Sequence, residues 1–301
     1  MSNKVETVDY LVLVALSVMF SSSFMFIKIA IETLTPLMVA SGRLMIAMVL
    51  LYVFMKFRGE SLPMDRRSWL FFIAIGIVGN AFPFFIISWA EQTVDSSVAG
   101  ILIATIPLIS YVVGHFATQD EKLTPLKMLG LLVGFGGIIV LIGPAALLNL
   151  GDNVVSQLAV ILGGCGYVAA SFIGRAMPPM SPTVRATGVL ITATIIAVPI
   201  CLIVDNPWTA SPSLASIGAV VMLGIFPTAI ATILLFFIII RAGATFLALN
   251  NYLNPVFAII LGFVFLAEVP EAKTYLGLLL ILGGVVITQL PQKAKAQPAK
   301  T

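Results

Sequence analysis

Charge is what this chain has least of. Acidic and basic residues make up only 10% of its 301 positions, where an ordinary soluble domain carries about 25%. A surface with so few charges could not be kept wet, which excludes soluble enzymes, nucleic-acid binders and disordered chains. Histidine occurs once, at His115, and cysteine twice, at Cys165 and Cys201. One histidine gives no His-x-x-x-His metal pair and argues against a Ser-His hydrolase within a membrane. The cysteines fall in different apolar runs, lack metal or redox spacing, and read as small packing residues. No Gly-Lys dipeptide and no Gly-x-Ser-x-Gly occurs, so neither a Walker A loop for ATP nor a nucleophile elbow is expected. No catalytic residue, cofactor or metal is expected from this inventory. The 13 acids all lie at the ends of apolar runs or between them. A carboxylate buried in mid-membrane, as used for direct proton coupling or for cationic drugs, is therefore not expected either.

What is present is apolar surface: 60% of positions and a mean hydropathy of +1.11. Runs long enough to cross a ~30 Å hydrocarbon core lie at about 10–31, 36–55, 69–90, 96–117, 128–148, 154–174, 186–204, 214–240, 244–267 and 274–290. Continuous runs, rather than ~10-residue alternating segments, exclude a β-barrel. The sequence predicts an all-α polytopic protein of ten transmembrane helices, the first of them an uncleaved span. If the N-terminus is cytoplasmic, 13 of the 16 basic residues fall on the cytoplasmic side, and only Lys28, Arg43 and Lys273 lie toward the outside. That bias predicts both termini in the cytoplasm of a bacterial-type inner membrane.

The halves resemble each other at a nearly constant offset. Gly76-Ile77 matches Gly224-Ile225, and Pro107 matches Pro255; one residue closer, Glu121 matches Glu268 and Lys28 matches Arg175. This divides the chain into repeats at 1–148 and 149–301. Five spans per repeat make the second enter from the opposite side, an inverted pair of the kind that secondary transporters use for alternating access.

Several stretches carry a more specific resemblance. Phe20-Ser21-Ser22-Ser23-Phe24 resembles the Trp-Gly-Ser-Asn-Phe pattern in the first span of the drug/metabolite transporter superfamily, in its EamA-type branch of ten-span exporters. Pro36 with Arg43, the Ala104–Leu108 and Leu253–Val256 prolines, and Glu121 and Glu268 before Gly-rich spans resemble further features of that family. Over residues 10–290 the resemblance implies a central cavity between spans 1–4 and 6–9, with spans 5 and 10 as peripheral braces. It also implies export of amino acids and related metabolites.

Helical spacing sorts the polar residues into stripes that could line such a path. They are Ser21 and Phe24 in span 1, Asn80, Phe84, Ser88 and Trp89 in span 3, and Thr105 and Tyr111 in span 4. Tyr167 and Ser171 follow in span 6, Thr228 in span 8, and Asn250, Asn251 and Asn254 in span 9. Each has an ordinary alternative: asparagines can be interhelical glue beside a proline, and Trp89 an interfacial belt residue. Lys28 and Arg43 can snorkel or pair with Glu32 or Glu91, or meet an anionic group of the substrate. His115 reads as a packed or capping residue with a possible gating role. Neutral amides, hydroxyls and rings suit a net-neutral solute, so the predicted function is export of neutral or aromatic amino acids by alternating access. Spans 3, 4, 8 and 9 are expected to supply most contacts. A multidrug or nucleotide-sugar carrier of the same architecture is the nearest alternative, and a lipid enzyme or a non-transporting scaffold the more distant ones. The partners implied are a small-molecule substrate and the lipid bilayer, with no nucleic acid and no indication of oligomeric state.

Overall fold

The computed structural model describes residues 6–117, 123–143 and 152–290. The proposed repeat boundary at 148/149, Glu121 and the two termini lie outside the described residues. Within them the chain is helical: α1 (Thr7–Ala30), α2 (Pro36–Phe57), α3 (Arg66–Ala90), α4 (Ser96–Ala117) and α5 (Pro125–Ile142), then α6 (Asp152–Arg175), α7 (Pro182–Val204), α8 (Leu214–Ala242), α9 (Asn250–Leu266) and α10 (Ala272–Gln289). Nine are long and apolar enough to cross a bilayer, and α9 is a shorter apolar helix preceded by a turn of helix at Ala244–Leu247. The ninth predicted span is thus shorter than expected, because Gly243, at φ 87°, and the turn at residues 248–249 take up its start.

The helix starts are written locally. Thr35-Pro36, Thr124-Pro125 and Ser181-Pro182 each place a hydroxyl at the N-cap and a proline in the first turn, and in each the cap hydroxyl accepts a backbone N–H three residues on. Proline fits there because its missing N–H falls among the donors that a helix start leaves unpaired.

Three helices are irregular inside. A π-helical segment interrupts α3 at Ile77–Ala81 and another interrupts α8 at Ile225–Ile230. The two occupy the same place in the two halves, just after the matched Gly76 and Gly224. Helix α4 breaks at Ala104–Thr105, between Ser96–Ile103 and Ile106–Ala117. Pro107 explains the break: it has no N–H for the Ile103 carbonyl, and it disfavours helical geometry in the residue before it.

Packing follows a pseudo-two-fold exchange. Helix α1 packs on α8 and α9 as α6 packs on α3 and α4; α2 meets α8 as α7 meets α3; and α2–α7, α4–α9 and α5–α10 pair across the axis. Close approaches repeat too. A methyl carbon added to Gly42 would strike Val220, and one added to Gly188 would strike Phe72. On Gly224 it would lie 3.2 Å from the Arg43 carbonyl oxygen, and on Gly76 3.0 Å from that of Val189. Arg43 and Val189 are therefore counterparts.

Helices α5 and α10 make the tightest pair. A Cβ on Gly284 would come 2.5 Å from the Gly130 carbonyl oxygen and 2.6 Å from the Gly134 amide nitrogen, both backbone atoms that cannot step aside. Without a hydrophobic drive between helices in lipid, such close approach of backbones is the main source of cohesion. Gly136, on α5, faces open space. Gly284→Ala is expected to destabilise the protein by about 1–3 kcal/mol, read as a lower unfolding temperature in detergent, while Gly136→Ala leaves it unchanged. Equal effects of the two would remove the packing argument.

Candidate functional site

A cavity of about 510 Å³ lies in the middle of the bundle. Its walls come from α1, α2, α3, α4, α6, α7, α8 and α9; among the described residues α5 and α10 contribute none. At one end, the floor, it reaches Ile27, Arg43, Phe84 and Ile87; toward the other, the mouth, it reaches Arg185 and Phe236.

Arg43 is the unusual element. It sits seven residues into α2, about 10 Å from the helix start at 1.5 Å per residue, and only 6% of it is exposed. Its guanidinium carbon lies 3.8 Å from the centre of the Phe84 ring, and its Nε donates to Thr228 Oγ1 at 2.7 Å. Arginine suits such a place because its planar, weakly hydrated cation stacks on an aromatic face. Arg43 therefore does not snorkel. Among the described residues no carboxylate lies within ion-pair distance of it.

Thr228 can accept from Arg43 because its own proton is already committed. Pro227, inside the π segment, has no N–H to give the Leu223 carbonyl, and Thr228 Oγ1 donates there instead at 2.7 Å. One hydroxyl thus repairs the backbone and holds the cation. Thr232 Oγ1, a turn further on, donates to the Thr228 carbonyl at 2.6 Å.

The seam between α1 and α9 is polar. Ser17 Oγ donates to Asn250 Oδ1 at 2.8 Å and Ser21 Oγ to the Asn254 carbonyl at 2.7 Å. The Asn254 side-chain oxygen is buried without a partner. Asn250, Asn251 and Asn254 all line the cavity, as do Phe24, Asn80, Phe84, Tyr167 and Thr228. Asn80 and Thr228 are counterparts, 148 residues apart, on the two π segments.

The remaining stripe residues stand elsewhere. Ser21 is fully buried in the α1–α9 seam rather than at the cavity surface. Ser88 and Thr105 turn back on their own helices, donating to the Phe84 and Leu102 carbonyls at 2.7 and 2.6 Å. Trp89 lines a separate hollow with Pro36, Phe85 and Ile200. Tyr111 packs by Leu108, Leu131 and Val285 near α5 and α10, with Lys127 Nζ 4.8 Å from its ring centre. Ser171, a turn beyond Tyr167, is exposed and is not among the residues that line the cavity. His115 Nδ1 accepts the Leu123 amide at 3.2 Å, so it caps the chain beyond α4. Phe20, Arg185 and Phe236 line the cavity without having been picked out as site residues. Phe20 belongs to the first-span pattern, whereas nothing in the spacing marked Arg185 or Phe236.

The two ends of the cavity are tied differently. At the floor Lys28 Nζ donates to the Glu91 and Val94 carbonyls at 2.7 and 2.9 Å, rather than to the side chain of Glu32 or Glu91. Glu268 accepts the Ser96 and Ser97 amides at 2.7 and 3.0 Å, Thr33 bonds to Ser216 at 2.8 Å, Thr93 to Ser156 at 2.7 Å, and Thr35 to Asp205. At the other end Arg241 pairs with Asp9 at 2.8 Å and Glu6 at 2.9 Å, and Ser181 donates to Glu60 at 2.9 Å. No carboxylate lines the cavity among the described residues. Glu91, at the end of a span, is fully buried just below the floor.

A ten-helix membrane bundle with a central cavity and broken helices around it is the architecture of a multi-pass transporter. The chain belongs to the EamA-like transporter family, which matches residues 8–143 and again 155–290. It is 29% identical over 285 residues to an uncharacterized inner membrane transporter, YedA, of Escherichia coli strain K12, covering 92% of this chain and 89% of the relative. It is 27% identical to an uncharacterized transporter, YdfC, of Bacillus subtilis strain 168, covering 90% and 88%. A probable terminal-alkyne amino-acid exporter of Streptantibioticus cattleyicolor is 24% identical over 292 residues, covering 96% of each chain. A solved crystal structure superposes with a TM-score of 0.67 at 21% identity, covering 95% and 98%, which speaks for the fold alone.

The Thr228 hydroxyl gives a direct test of the site's construction. Thr228→Val leaves both the Leu223 carbonyl and Arg43 Nε unpaired, at an expected cost of about 1–3 kcal/mol for each buried polar group. Thr228→Ser keeps the hydroxyl and is expected to hold the native unfolding temperature. If valine is as stable as serine, the bridge contributes nothing.

Proposed function

We propose that this protein is an inner-membrane secondary transporter that exports neutral or aromatic amino acids and related small metabolites by alternating access. The observation that carries the reading is Arg43: a buried cation on the cavity wall whose guanidinium has no carboxylate partner among the described residues. A buried charge is costly unless paired, so a substrate carboxylate arriving in the cavity gains a strong charge-assisted bond. The unpartnered Asn254 side-chain oxygen offers an acceptor for an ammonium group. Phe20, Phe24, Phe84 and Phe236 supply apolar surface for a side chain. A carboxylate, an ammonium and an apolar body describe a neutral amino acid.

The Streptantibioticus relative, named as an amino-acid exporter, supports the substrate class. A phosphorylated solute would call for converging cations. Arg43 and Arg185, by their positions along α2 and α7, stand roughly 15–20 Å apart along the bundle, too far to grip one phosphate. With both termini in the cytoplasm, as the basic residues suggest, the bonded floor faces outward and the mouth inward, the arrangement of an exporter waiting to load. The matched π segments provide paired sites for bending.

The test is uptake of labelled phenylalanine, threonine and methionine into proteoliposomes, with unlabelled amino acids, cationic drugs and nucleotide sugars as competitors. Equilibration faster than in empty vesicles, blocked by amino acids alone, is expected. Arg43→Gln is expected to slow it about tenfold or more, as the loss of a charge-assisted bond of about 1.5–3 kcal/mol implies. Tyr111→Phe, outside the cavity lining, is expected to leave it unchanged. Competition by nucleotide sugars or drugs alone would replace this reading with the other carrier.

A further inference from the structure

Glu91 is the C-cap of α3, and its backbone carbonyl is an acceptor for Lys28 Nζ. Its side chain has been treated differently by the fold. The residue is fully buried, and both carboxyl oxygens lack any hydrogen-bond partner. The charged groups around it are otherwise engaged. Lys28 of α1 points at two carbonyls, Arg43 of α2 is stacked on Phe84 and bonded to Thr228, and both oxygens of Glu268 are taken by the Ser96 and Ser97 amides. Asp95, the exposed N-cap of α4, makes no side-chain cap bond and adds a further acid to the group. Among the described residues no cationic nitrogen lies within ion-pair distance of the Glu91 carboxyl.

A carboxylate left in that state neutralises itself by taking up a proton. We propose that Glu91 is a proton-binding site, neutral while the floor is closed and ionised once the floor opens, so that a bound proton holds the transporter in the conformation seen here. The inference rests on the reading of this protein as an alternating-access transporter. Opening the floor must break the Lys28 and Glu268 bonds that cover Glu91, and it would admit water to the carboxyl. Phe84, Ser88 and Glu91 share one face of α3 at spacings of four and three residues, so an ionised Glu91 stands about 10 Å along that face from the guanidinium. Lys28 and Arg43 would then both draw on it. The proton on Glu91 thereby bears on the cation proposed for the substrate.

Burial pushes the Glu91 carboxyl well above the ordinary carboxylate range, an effect that Glu268 adds to and Lys28 and Arg43 oppose. The sign of the pH dependence follows. The closed floor binds one proton more than the open floor, so acid favours closing and alkali favours opening. Between the two pKa values the ratio of closed to open changes by up to about tenfold per pH unit.

The test needs no substrate. Glu32 and Gln92 are exposed on either side of the Lys28 bridge. Spin labels placed there as cysteines, with Cys165 and Cys201 replaced by alanine, report their separation in liposomes between about pH 5.5 and 8.5. The parent protein is expected to show a short distance that gives way to a longer one as the pH rises. Glu91→Gln, which imitates the neutral acid, is expected to keep the short distance throughout and to retain the parent's unfolding temperature at the acid end. A parent insensitive to pH, a Glu91→Gln protein with the parent's pH response, or a Glu91→Gln protein that fails to fold would each overturn the proposal; the last would make Glu91 an ionised structural partner. Because no amino acid enters the measurement, its failure leaves the substrate assignment standing, and failure of the uptake assay leaves this result standing.

Discussion

Inside hydrocarbon a hydrogen-bonding group has no water to fall back on, and the irregularities of this bundle follow from how each such group is met. Prolines in the middle of helices free carbonyls, and the nearby side chains answer them. Pro227 frees the Leu223 carbonyl, and Thr228 takes it. Where the repair falls on a cavity wall, the repairing group is left with a lone pair to offer. That is how Arg43 comes to be held: the Thr228 oxygen, having donated to the backbone, accepts from the guanidinium. The proline, the π segment, the threonine and the cation form one chain of dependence, and the cavity's electrostatics rest on it.

Symmetry supplies the scaffold, and departures from symmetry supply the chemistry. The pairs Gly42–Val220 and Gly188–Phe72 have the same geometry, as do Gly224 against Arg43 and Gly76 against Val189. An inverted pair of this kind places two conformations at similar energy, since each is close to the other with the halves exchanged. Yet the position that is Arg43 in one half is Val189 in the other, and Asn80 faces Thr228. A perfectly duplicated site would bury two cations close together, where their repulsion and desolvation would both oppose folding. Instead Arg43 is buried at the floor, and Arg185, only half-buried, stands toward the mouth.

The ends of the bundle differ in the same sense. Bonds at the floor run between loops and helix starts, with Glu268 satisfying the first amides of α4, a place where helix-end donors favour an acid. The bonds at the other end involve the half-exposed Arg241, where solvent screens the pair and weakens it. The floor is the more strongly determined closure.

Much of this was written in the chain. The apolar runs fixed ten helices, because a span of hydrocarbon must be crossed by that length of apolar residues and no other spanning form suits continuous runs. The Thr-Pro and Ser-Pro caps and the matched glycines are local or periodic features, and they are legible for that reason; the division into eight cavity helices and two braces was what the family resemblance implied. The site was legible in part. Asn80, Phe84, Tyr167, Thr228 and the α9 asparagines were marked by spacing, yet Ser88 and Thr105 carry the same signature and turn inward to their own carbonyls, and Tyr111 and Ser171 are not among the residues that line the cavity. Helical periodicity gives the face of a helix but not which neighbour that face meets. The tertiary structure alone decided that Arg43 leaves the interface for the cavity, and that Glu91, an ordinary loop acid by position, is sealed without a partner. Burial and pairing depend on residues from α1, α2, α8 and α9 that are far away in sequence, and only packing brings those helices together.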